Sequence, residues 1–323
     1  MPAMNWVFDA NVGIYKNHTI SNNLLVTSVG ATKVLPFTTP LPGFGKHQGE
    51  TVNIMSVNEL ADPTSAELNE NTRIPIDRLT FNNRALTIVP WGRGVEYTDL
   101  MADLGRFDIA SIIQKALMRQ MERAMDTAAA VAFQAAATVL ITFIPTSATG
   151  GTFDTDGTPS TVASSNLTWD HIGLLADYLS GTIHVPPYEG EHYVGVSSRR
   201  TMRGLKQDNL WQSVALYLRQ GDLFYRGEVG MTENIRWGEC HREGAVSNTA
   251  GTSTVLGNAF VFGDEAVARV EADPPHLRAD PNYQSDFGRV HAVAWYGKLQ
   301  FGSFWTSATD GFLLEEEVGP LAA

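Results

Sequence analysis

The residues able to carry chemistry are few, and their spacing argues against most of the chemistry they suggest. Asp154-Thr-Asp156-Gly157 has the opening of a calcium loop, where alternate carboxylates present oxygens to the ion and a glycine permits the sharp turn. The run that follows, TPSTVASS, lacks the closing acidic residue, so the segment reads as a surface turn. Asp170-His171 and Glu191-His192 each set a carboxylate beside an imidazole, the components of a general acid–base pair. Sequence neighbours on a helix or strand point in different directions, so adjacency alone makes no pair. His184, His241, His276 and His291 are scattered without ligand spacing. Cys240 stands between Glu239 and His241, where a thiol can be activated, but an inert buried thiol is the expectation. It is the only cysteine, which excludes an intrachain disulfide and a cysteine-rich zinc site and suits a reducing cytosol. Gly45-Lys46 is followed by His47, and Pro40 occupies the position of the first P-loop glycine. HExxH, GxSxG and a strand-to-helix GxGxxG are all missing. The expectation is a chain with no catalytic, cofactor-binding or metal residues: not an enzyme, and without a cofactor.

The elements that would position any site divide the chain unevenly. Residues 1–49 lack a sustained period and contain Pro36, Pro40, Pro42, Gly43 and Gly45, which predicts an extended N-terminal arm. Alternation of Val52, Ile54 and Ser56 with Asn53, Met55 and Val57 predicts a strand. An acidic segment, ADPTSAELNENT (61–72), follows, and extended character returns through residues 73–81, 85–89 and 95–97. With a turn placed at Asn82-Asn83, residues 50–97 read as one long β-hairpin projecting from the body.

Thr98 and Asp99 then open a short helix that Gly105 ends, and Asp108 caps a long one over residues 108–137. Ile109, Ile112, Ile113, Ala116, Leu117, Met121, Ala124, Ala128 and Val131 recur at helical spacing. Lys115, Arg119, Glu122, Arg123 and Asp126 fill the opposite face, with Arg119–Glu122 and Arg123–Asp126 near enough to pair. Beyond a loop over 145–165, a helix is predicted from 166 to about 180, another over 198–219, and a loop over 244–254. Strands are predicted at 192–197, 258–263, 289–296 and 301–305. The fold class is α+β.

The bulk numbers admit an ordered domain: 323 residues, 43% hydrophobic and 18% charged. No period of a solenoid or propeller repeats. Net charge is −12, with 35 acidic residues against 23 basic, so the chain does not grip duplex DNA by its phosphates. An acidic wall would let enclosed DNA slide; ordinary solubility charge is the alternative. The N-terminus has no basic segment and carries Asp9, unlike a secretory signal. Residues 127–144, TAAAVAFQAAATVLITFI, fall short of the ~20 strongly apolar residues of a membrane span. They read as the tightly packed end of a helix, and no membrane partner is expected.

Three segments carry a resemblance. PWGRGVEYTDL (90–100), LFYRGEVG (223–230) followed by IRW (235–237), and AWYGKLQFG (294–302) resemble, in order and spacing, segments of major capsid proteins of tailed bacteriophages. The subfamily they resemble is that of podophages carrying a giant virion RNA polymerase. The order of elements, a hairpin, one very long helix and a mixed body with a returning strand, is similar to the same fold over nearly the whole chain. The resemblance implies an N-terminal arm (1–49), an extended loop (50–97) and a peripheral domain (98–165) with spine helix 108–137. An axial domain (166–285) and C-terminal strands returning to the body (286–323) complete it.

It further implies a subunit that self-assembles into pentamers and hexamers of an icosahedral head enclosing double-stranded DNA. Its place would be the virion, after assembly in the host cytoplasm, with a portal as partner and a decoration protein if one reinforces the lattice. About 50 residues before the hairpin leave no room for a fused scaffolding domain of roughly a hundred, so a separate scaffolding protein is expected. Residues 47–114 contain no lysine, so isopeptide cross-linking from the extended loop is not expected. Arg73, Arg78, Arg84 and Arg93 are candidate intersubunit partners for carboxylates, arginine being the better bidentate donor. The alternative is that they keep an exposed hairpin soluble. An encapsulin-type nanocompartment shares the implied fold, and a β-rich hydrolase or carbohydrate-binding protein is the reading from another class.

Overall fold

A computed structural model describes residues 34–41, 49–57, 60, 67, 70–71, 73–105, 108–133, 141–155, 163–212, 228–240, 257–279, 289–305 and 313–318. In chain order the elements are β1 (Thr39–Pro40), β2 (Thr51–Val57), β3 (Phe81–Thr87), β4 (Val89–Thr98), α1 (Asp99–Leu104) and α2 (Ile109–Phe133). Then come β5 (Ile141–Ser147), β6 (Gly150–Asp154), α3 (Trp169–Asp177), β7 (Tyr193–Ser198) and α4 (Arg199–Gln207). The last are β8 (Glu228–Thr232), β9 (Ile235–Cys240), β10 (Gly257–Phe262), β11 (Val267–Ala279), β12 (Val290–Ser303) and β13 (Leu313–Val318). The α+β class is the one expected. Most of the predicted arm and the loop over 244–254 lie outside the described residues.

Helix α2 forms where the sequence predicts it, because its caps and its stripe agree. The Asp108 carboxylate accepts from the Ser111 N–H at 3.4 Å, and Thr98 caps α1 through the Met101 N–H at 3.3 Å. Leu117, Met121, Met125, Ala129 and Phe133 recur every fourth residue and face the core. At 1.5 Å per residue its 25 residues span about 37 Å. Its middle packs on Trp295 and Leu299 of β12, while its C-terminal Phe133 meets Phe260 and Phe262 of β10 at 6.1 and 4.9 Å. One helix therefore ties two sheets together. The alanines near its end, Ala129, Ala130 and Ala132, are buried and permit that close approach.

The first sheet has the order β1-β11-β12-β4 and the second β6-β5-β13-β10-β7-β9-β8; β2 and β3 pair only with each other. Two of the three resemblance segments are neighbours: β4 and β12 run antiparallel, with Gly94 opposite Ala294 and Pro90 opposite Lys298. In the third, Gly230 has φ +138°, a conformation open to glycine and strained for other residues.

Several sequence expectations change. The predicted turn at Asn82-Asn83 does not form: both residues lie within β3, opposite Ser56 and Met55. Only β2 and β3 make the hairpin, while β4 leaves it at Ile88 to join the first sheet. The loop predicted over 145–165 contains the end of β5 and all of β6. Ile141–Ile144, read with the helix end, is buried strand, since a short apolar run suits either element. Within 286–323, β12 pairs with β11 and β13 with β5. Such pairings join residues far apart in sequence and leave no local signal.

Asp126, predicted to sit on the polar face of the long helix, is fully buried. Its Oδ1 accepts from the backbone N–H groups of Val34 and Leu35 at 3.0 and 3.1 Å. The periodicity failed there because the segment preceding β1 crosses that face and supplies donors. A buried carboxylate needs such donors.

Candidate assembly surfaces

The hairpin carries two unlike faces. Val52, Ile54, Arg84 and Leu86 turn inward; Leu86 packs with Ala268 and Val270 of β11, and Ile54 and Phe304 close the cluster. The opposite face presents Met55, Val57 and Phe81 at 75%, 51% and 67% exposure. Leu60, Ile74, Ile76 and Leu79, between the two strands, are exposed as well. A lone two-stranded hairpin is marginal in water, and exposed apolar patches of this kind mark interaction surfaces.

A second surface lies on α2. Ala124, Thr127, Ala128, Val131 and Phe301 line a groove of about 630 Å³ together with Trp91. Val131, predicted to be core, is exposed along it. The Trp91 indole N–H is buried and has no acceptor among the described residues, whereas that of Trp295 reaches Gln120 at 3.4 Å. Lys115, Arg119 and Arg123 continue the groove's line toward the start of the helix at i, i+4 and i+8.

The four sequence-selected arginines do not converge. Arg73 and Arg78 are exposed in the segment before β3, and Arg93 is exposed on β4. Arg84 is half-buried, and its Nη1 donates to the Trp305 carbonyl at 2.6 Å. Burial pushes its guanidinium pKa below the ordinary value. Sequence reasoning missed the groove and the Arg84 contact, since both depend on β12 returning beside elements some two hundred residues earlier. The tryptophans at 91 and 305 were the available signal.

Elsewhere the titratable groups serve structure. Among the described residues no cluster of His, Cys, Asp or Glu could hold a metal ion. His171 is buried: its Nδ1 accepts from the Thr168 N–H at 3.2 Å and its Nε2–H donates to the Ser147 carbonyl at 2.8 Å. Desolvation lowers its pKa. His291 pairs with Asp99 beside Tyr97. Cys240 is buried in the main core. His241, Asp156 and Gly157 lie outside the described residues. No helix among the described residues is long and apolar enough to cross a membrane.

No known protein family and no curated protein matches the chain in sequence. Solved structures do match in shape. The capsid asymmetric unit of cyanophage Pam1 superposes with a TM-score of 0.70 at 15% identity, covering 95% of this chain and 97% of that one. A chain of the head of Helicobacter pylori bacteriophage KHP40 gives 0.66 at 11% identity, over 98% and 99%. The capsid of Ralstonia phage GP4 gives 0.65 at 16% identity, over 96% and 97%. The chain has the fold of these phage capsid and head chains, from end to end. That is the fold the three segments imply.

Proposed function

We propose that this chain is the major capsid protein of a tailed phage: a non-enzymatic subunit that builds the virion head around double-stranded DNA. The observation that carries the reading is the end-to-end likeness to capsid and head chains. The paired surfaces support it, since a subunit that exposes a large apolar hairpin and an apolar groove leaves both for neighbours to cover. The copies form pentamers and hexamers in an icosahedral lattice. Assembly takes place in the host cytoplasm with a separate scaffolding protein and a portal, and a decoration protein joins if the lattice carries one. Membership of the podophage subfamily rests on the three sequence segments.

In domain terms, 1–49 is the arm and 50–97 the extended loop, rooted where β4 enters the first sheet. That sheet with α2 is the peripheral unit, and the second sheet with α3 and α4 is the axial unit. The extended loop of one copy lies over α2 of the next, its Met55–Phe81 face covering the groove. Arg73, Arg78 and Arg93 pair with carboxylates of neighbours, which requires them to lose water on assembly, since exposed pairs contribute little. The net charge of −12 leaves enclosed DNA unheld.

The test is to produce the chain alone and with the scaffolding protein encoded beside it, then examine both by negative-stain microscopy and light scattering. Closed shells or capsomer rings are expected. A monomer or small oligomer under every condition overturns the reading. Shells that package an enzyme rather than DNA assign the chain to a nanocompartment instead.

A further inference from the structure

Among the described residues, the hairpin meets the body around Leu86. Leu86 drops into a notch above Gly302, where an added Cβ would stand 2.3 Å from its Cδ2. Beside it the Arg84 guanidinium reaches the Trp305 carbonyl at 2.6 Å, and the Trp305 indole N–H donates to the Glu265 carbonyl at 3.0 Å. The Ser303 hydroxyl accepts from the Trp305 N–H at 3.2 Å, holding that turn. Just outward, the β2 segment from Ile54 to Val57 lines a cleft of about 180 Å³ together with Glu265, Phe304 and Trp305. The Leu86 notch and the Arg84–Trp305 bond thus fasten this end of the hairpin to the body.

A half-buried cation is a costly way to fill that position, because the guanidinium loses water and an apolar side chain would suit the Leu86 cluster better. What arginine adds is direction. A planar, charged donor fixes one strand at a definite angle to the carbonyl it meets, which greasy packing alone does not. From this geometry we infer that Arg84 is a positioning residue: through Trp305 and Glu265 it pins the root of the hairpin and sets the direction in which the hairpin projects. The inference rests on the proposed assembly role for its importance to shell building, but the pin is a property of the single chain. It also separates Arg84 from Arg73, Arg78 and Arg93, whose exposed side chains face outward.

The experiment places spin labels at Asn71→Cys and Gln114→Cys in the full unassembled chain, with Cys240 protected by burial, and measures their distance distribution by pulsed electron resonance. The native chain is expected to give one narrow distribution. Arg84→Ala should broaden it at least twofold while circular dichroism stays native, and Arg84→Lys, which donates without a planar fork, should restore only part of the sharpness. Should Arg84→Ala fail to fold, Arg84→Met, which keeps the side-chain length but loses the donor, should broaden the distribution likewise. A folded Arg84→Ala chain with the native distribution overturns the inference, and so does a native distribution in Arg84→Met if Arg84→Ala does not fold. Because the distances are read before assembly, failure to form shells bears on the proposed function and leaves this result standing.

Discussion

A carboxylate carried into the interior must find donors, and Asp126 finds the N–H groups of Val34 and Leu35. Removing it leaves two backbone donors facing apolar surroundings. Asp126→Ala is therefore expected to destabilise the unassembled chain by about 2 kcal/mol or more in urea titration, and Asp126→Asn, which keeps an acceptor, by clearly less. His171 makes a different prediction. Its imidazole accepts at Nδ1, so protonation removes the bond from Thr168, and burial already disfavours the charged form. Its folded pKa lies below the unfolded value of about 6.5, so the unfolded chain takes up the proton first as pH falls. The stabilisation is complete above about pH 6.5 and is lost on acidification through the folded pKa. Melting temperatures at pH 7.5 and pH 5 should show a drop in the native chain that is smaller in His171→Gln. Equal drops would remove His171 from the account.

At the scale of elements, the hairpin is where the chain is least satisfied by itself. Its outer face gains nothing from folding alone, so Ile76→Glu and Phe81→Glu should leave the unassembled chain's melting temperature within about 2 °C, since exposed positions tolerate substitution. The same substitutions should abolish shell formation in light scattering; unimpaired assembly would show that this face is not an interface. How much of this was legible in sequence follows the range of the signal. Helix α2 was legible because its caps and its four-residue stripe are local. Strands β2, β7, β10 and β12 were legible as alternation or short apolar runs. The Asn82-Asn83 turn was misplaced because asparagine, while apt for turns, also sits in a strand when a partner such as Ser56 offers a ladder. Asp126 was misread because nothing near it in sequence announces the segment that covers it. The groove was illegible, being assembled from β4, α2 and β12.

For the whole molecule, two sheets bridged by one helix form a body among the described residues, and the hairpin meets it through the Leu86 cluster. Among the described residues the hairpin face and the groove leave apolar surface exposed. They lie on different parts of the chain, so the contact we propose between them is heterologous, and such contacts close into rings when the rotation permits. That is the geometry a shell subunit requires. The most direct measurement is interchain disulfide trapping with Ile76→Cys and Val131→Cys in one chain, using assembled particles and non-reducing electrophoresis. Ladders of linked chains up to closed pentamers and hexamers, with native-looking shells, are the result this account predicts. Shells that form normally but yield only monomer bands, while each cysteine is reactive by itself, would contradict it.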